Sequence, residues 1–140
     1  MSTTYSFDWD DLILAVWRRV MDDPDWVDPN AANGVGCEYA PANDSGGCVI
    51  GQALGSLGVD NEKLRQLDDK NGAISTPVIF HLLRLPDGAP HLLTQVQSAQ
   101  DEGSTWLEAW KYGMQRDKTS FPAALKAKGV NPEDKTTWPR

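Results

Sequence analysis

The sequence predicts a single, mainly α domain, a compact bundle of five to seven short helices over residues 1–130, followed by a C-terminal tail at 131–140. Two observations predict it. Apolar residues recur at three- and four-residue spacing in several segments, and these segments open on Asp or Thr caps and close on Gly or Pro. A length of 140 residues suits one core, burying about two-thirds of the unfolded surface without a disulfide or metal to support it. Between the helices lies one long irregular loop with room for a small strand pair.

The first helix is predicted over Trp9–Met21, where Trp9, Leu12, Ile13, Val16, Trp17 and Val20 make one apolar stripe. Asp8 is its N-cap, Asp10 and Asp11 favour the positive end of the helix dipole, and Pro24 ends the run. Asp22–Ser45 then lacks a helical period and is crowded with Pro, Gly, Asn and Asp, an irregular connection pinned by Trp26 and Tyr39 with a short strand allowed at Val35–Ala40. Loops longer than about 12–15 residues inside a domain are disproportionately functional.

Cys48–Leu57 forms the second helix, ended by Gly58. Asp60 caps a third that extends to about Asp69 and closes at Asn71-Gly72, with Val59 and Leu64 placed as a hydrophobic staple. Thr76 caps a fourth, Pro77 takes its first position, and the helix runs to Pro86. Being apolar nearly all round, this helix is expected at the centre of the bundle. Pro90 opens a fifth with Leu92, Leu93, Val96 and Ala99 on one face. Beyond Gly103, Thr105 and Glu108 match a capping box, worth about 1 kcal/mol, ahead of a sixth helix that buries Trp106, Leu107, Trp110 and Met114. Pro122–Lys128 is a seventh, closed by Gly129, and the final ten residues have little to hold them unless Trp138 docks.

Composition narrows the function. The net charge of −7 is uneven: residues 1–30 hold seven acids against two bases, and residues 111–140 hold seven bases against three acids. Overall acidity disfavours direct nucleic-acid binding, which draws on clustered Lys and Arg. The helix pair around DNEKLRQLDDK, with four acids against three bases, is a poor reader of DNA for the same reason. No apolar run approaches a membrane span, and MSTTYSFDWDD lacks a signal peptide's basic and apolar regions. The expected location is the cytoplasm, with Cys37 and Cys48 as free thiols. No metal is expected, because C-x-x-C and H-x-x-x-H pairs are absent, and no cofactor, because there is no P-loop or complete G-x-G-x-x-G.

Cys48 is the one residue placed for covalent chemistry. A cysteine at a helix N-terminus lies near backbone N–H groups that favour the thiolate, and SGGCVIGQALGSLGV loosely resembles the nucleophile helix of papain-like hydrolases. Such an enzyme also needs a base. Only His81 and His91 exist; His81 reads as a core residue in an apolar run, which leaves His91 as the candidate base of a Cys48 hydrolase or transferase. Against this, Gly47, Gly51 and Gly55 form a stripe beside that of Ile50, Leu54 and Leu57, so the same helix reads more simply as a packing hub.

Two polar stretches are candidates for partner binding. DDPDWVD at 22–28 sets Asp22, Asp23, Asp25 and Asp28 around the aromatic anchor Trp26, chemistry suited to a basic protein surface. QVQSAQDEGSTW at 95–106 brings Gln97, Gln100 and Asp101, amides and a carboxylate able to form a directional surface.

The segments CEYAPANDSGGCVIGQALGSLGV at 37–59 and LLTQVQSAQDEGSTWLEAW at 92–110 resemble motifs of small uncharacterised proteins of actinobacteria and their bacteriophages. Cys37, Tyr39, Cys48, Gly51, Ala53, Leu54, Gly58, Gln97, Gln100, Asp101 and Trp106 carry the likeness. The resemblance implies a phage accessory protein in a bacterial cytoplasm, and implies that the two segments lie together. The expected function is therefore a non-enzymatic acidic binding protein that modulates a host protein. A Cys48 enzyme and an acidic mimic of DNA are the alternatives.

Overall fold

The computed structural model describes residues 5–27, 48–60, 62–66 and 76–139. The described chain is mainly helical, with no strand. Its helices are α1 (Trp9–Asp22), α2 (Val49–Ser56), α3 (Thr76–Leu82), α4 (His91–Asp101), α5 (Trp106–Arg116) and α6 (Ser120–Lys128). A further helical segment occupies 62–66, and a 3-10 turn spans Lys135–Thr137. The expected strand at Val35–Ala40, together with Cys37, Tyr39, Gly47 and the end of the third predicted helix, lies outside the described residues.

The centre of the bundle is α1. Asp8 caps it by accepting from the Asp11 amide at 2.9 Å, while the Asp11 carboxylate accepts from the Asp8 amide at 3.0 Å, a closed capping box. Leu12, Ile13, Leu14, Ala15, Val16 and Trp17 are all buried, because α2, α5 and α6 pack around this helix from different sides. A single stripe would have left Leu14 and Ala15 in water.

The predicted central helix is not packed all round, a correction to the sequence expectation. α3 packs on α4; its Ile79 and Phe80 are buried, whereas His81 is exposed and Leu82 is 36 % exposed. It also stops short of Pro86. The Leu85 amide donates to the Phe80 carbonyl (3.0 Å) and the Arg84 amide to that of His81 (2.9 Å), with Arg84 left-handed at φ 61°. This Schellman closure ends the helix through hydrogen bonding before proline can.

α4 and α5 form the most extensive helix pair, and Gly113 sets their separation. A Cβ there would lie 2.7 Å from Val96 Cγ2, 2.8 Å from Leu92 Cδ1 and 3.1 Å from the Leu92 carbonyl oxygen. Asp117, in the turn after α5, joins three elements: its carboxylate accepts from the Leu92 amide (3.0 Å), the Ser120 amide (3.1 Å) and the Ser120 hydroxyl. It thereby satisfies amides at the starts of both α4 and α6. α6 begins at Ser120, two residues before the predicted start, and Lys128 reaches back to Asp8 (2.8 Å) and Asp11 (3.2 Å) at the head of α1.

Residues 131–139 are held in place. The Trp138 ring lies 4.4 Å from that of Trp17, its indole N–H donates to the Asn131 carbonyl at 2.9 Å, and the Arg18 guanidinium sits 5.4 Å from its centre. Docking of Trp138 was the condition for an ordered tail.

Candidate functional site

The expected partner-binding segment leaves α1 and immediately turns. The Asp23 amide donates to the Arg19 carbonyl (3.1 Å) and the Trp26 amide to that of Asp23 (3.2 Å). The turn then completes another helix: the carbonyls of Trp26 and Pro24 accept from the Trp106 (3.0 Å) and Leu107 (2.9 Å) amides, the first two of α5. Free amides at a helix start need such acceptors. This places the C-terminus of α1 beside the N-terminus of α5.

A cleft of about 280 Å³ opens at this junction, lined by Arg19, Asp22, Asp23, Trp26, Gln52 and Trp106. Trp26 is half-buried and meets Trp106 edge-on, with ring centroids 6.3 Å apart and planes at 64°. Both indole nitrogens are buried without a hydrogen-bond acceptor among the described residues. Asp22, Asp23 and Asp25 are all exposed, and Asp22 pairs with Arg18 (3.3 Å) and Arg19 (3.2 Å). The exposed carboxylates stand at the negative end of the α1 dipole, which adds to their attraction for a cation. Asp28 lies outside the described residues.

The second expected binding stretch is mostly internal, a further correction. Gln97 and Gln100 are each 2 % exposed. Gln100 Oε1 accepts from the Val49 amide at 2.9 Å and so serves the buried start of α2, and Gln97 Nε2 donates to Asp101 Oδ1 at 3.0 Å. A buried helix start left without acceptors costs about 1–3 kcal/mol per group, and this demand draws the glutamine inward. Of the stretch's three candidates only Asp101 is exposed. The segments around Cys48 and Gln100 do lie together, through that bond.

Cys48 is the N-cap of α2. It is 0 % exposed, and its Sγ accepts from the Gly51 amide at 3.4 Å. His91 is exposed at the first position of α4, nine residues from Gln100, the residue that meets α2. At 1.5 Å per residue this offset is about 13 Å along the helix. The helix that presents Gln100 to α2 thus carries His91 away from Cys48. Among the described residues no group of three or more His, Cys, Asp or Glu could hold a metal ion, and no helix is long and apolar enough to cross a membrane.

Iodoacetamide with mass-spectrometric mapping tests the buried thiol: Cys48 in the folded protein should label far more slowly than after unfolding. Rapid labelling of the folded chain at neutral pH would return it to the list of nucleophiles.

Sequence reasoning missed Arg19, Gln52 and Trp106 as cleft residues. No local signal carries them, since the cleft arises from backbone bonds between Pro24–Trp26 and α5 across some eighty positions of sequence. Fold and cleft define a small helical protein with an acidic and aromatic surface recess. Compared with known protein families, curated proteins and solved structures, the chain matches none.

Proposed function

We propose that this chain is a non-enzymatic binding protein whose cleft at the α1–α5 junction receives a basic segment of a partner protein. The observation that carries this reading is the cleft itself: exposed Asp23 and the paired Asp22 beside the Trp26 and Trp106 rings. A cationic side chain gains from both features, through carboxylate pairing and through contact with an indole face. The closed environment of Cys48 supports a role outside thiol chemistry. The resemblance to small proteins of actinobacteria and their phages supports a host protein as the partner, met in the bacterial cytoplasm and modulated by the contact.

Charge reversal tests the reading. With an arginine-rich peptide labelled for fluorescence anisotropy, Asp23→Lys/Asp25→Lys should weaken binding about tenfold or more, equivalent to about 1.4 kcal/mol, and binding should decline with added salt. Equal binding by the variant and the parent protein would reject the cleft as the contact surface.

A further inference from the structure

A second recess lies on α5, and its chemistry is opposite to that of the cleft. It is a shallow groove of about 450 Å³ lined by Leu107, Trp110, Lys111, Met114, Gln115 and Lys118. Trp110 forms a largely buried floor that meets Phe121 edge-on at 5.0 Å, while Leu107 and Met114 are half-buried on either side. Leu107, Trp110 and Met114 stand at i, i+3 and i+7, an apolar row about 10 Å long. Lys111 and Lys118 are exposed, and neither forms an ion pair among the described residues. Two exposed cations beside an apolar row, with Glu108 one turn before Lys111 as a weak electrostatic neighbour, contrast with a chain whose net charge is −7.

We propose that this groove docks an acidic amphipathic segment of another protein, with apolar anchors seated over Trp110 and carboxylates meeting Lys111 and Lys118. Charge complementarity selects this occupant. Lys111 lies within α5 and Lys118 two residues past its end, and both line the groove, so a docked segment meets each with a carboxylate. An apolar segment flanked by lysines would meet like charge at both ends, which disfavours it. The inference goes beyond the basic-segment reading, because it concerns a different face and a partner of the other sign. α5 contributes Trp106 to one recess and Leu107 to the other.

The test uses the full chain and two designed amphipathic peptides of about 14 residues, with the same leucine row and flanked by Glu in one and by Lys in the other. The Glu peptide should bind, and the Lys peptide should bind at least about tenfold more weakly. Lys111→Glu/Lys118→Glu should reverse that preference, and Met114→Asp should weaken the Glu peptide without altering the arginine-rich peptide's binding at the cleft. Equal affinity for both peptides, no binding of the Glu peptide, or a preference unmoved by lysine reversal would overturn the proposal. So would concentration-dependent self-association abolished by Lys111→Glu/Lys118→Glu, since it would make a second copy of this chain the occupant.

Discussion

Gly113→Val is expected to destabilise the protein by about 2–3 kcal/mol, the upper part of the range for overpacking a core, read as a lower urea midpoint at unchanged slope. Replacing a helical glycine by alanine ordinarily gains about 0.5–1 kcal/mol and by valine somewhat less, so a loss is diagnostic. Here the new Cβ would meet Val96 Cγ2 at 2.7 Å and Leu92 Cδ1 at 2.8 Å. Those side-chain ends can rotate aside, but the Leu92 carbonyl oxygen at 3.1 Å belongs to the backbone of α4 and moves only with the helix. Adding Leu92→Ala removes one obstructing methyl, so the double variant should lose less than the sum of the two single losses. A stabilised Gly113→Val would show that α4 and α5 are farther apart than described.

Asp117→Ala should cost about 2–3 kcal/mol, because one carboxylate serves the starts of two helices and bonds to a charged acceptor contribute about 1.5–3 kcal/mol. Its effect should depend on pH in a definite direction. Burial pushes the Asp117 carboxyl up, but the Ser120 hydroxyl and the amides of Leu92, Ser120 and Thr119 together outweigh it and hold the group below the ordinary carboxylate value. A folded-state value below the unfolded one means the contribution is complete above the ordinary carboxylate range and lost as pH falls through the folded value. The stability gap between parent and variant should therefore narrow on acidification below about pH 4. A gap that stays constant from neutral pH into that range would contradict the hydrogen bonding at Asp117.

Local chemistry was legible in the sequence wherever a single segment determined it. The caps Asp8, Asp60 and Thr105 do what their positions predict: Asp60 accepts from the Glu62 amide at 2.9 Å, and Thr105 forms its box with Glu108 at 3.1 and 3.0 Å. Gly58 and Gly129 close their helices in left-handed conformations. Burial was less legible, because it depends on how many neighbours a helix acquires. α1 packs against α2, α5 and α6 and meets α3 through Trp9 and Phe80, and is buried well beyond its stripe, whereas α3 leaves Leu82 and His81 at the surface despite the apolar run around them.

The candidate site divides along the same line. Asp22, Asp23 and Trp26, neighbours in one charged segment, line the cleft, but their wall is completed by Gln52 and Trp106 from distant segments. The glutamines misled because composition records that a residue can hydrogen-bond but not with what. Gln100 spends its acceptor on the Val49 amide of another helix. The close approach of α4 and α5 at Gly113, alone in KYGMQ, had no repeated spacing to mark it in the sequence.

The measurement that tests the central claim most directly is a ¹H–¹⁵N correlation spectrum of the protein titrated with an arginine-rich peptide. The indole N–H groups of Trp26 and Trp106 give signals separate from the backbone and belong to the cleft. The account predicts that these two, with the amides of Asp23 and Gln52, shift together and saturably, while the Trp9 indole, at the N-terminal end of α1 against Phe80, stays unmoved. Shifts centred elsewhere, with the Trp26 and Trp106 indoles unchanged at saturation, would contradict it.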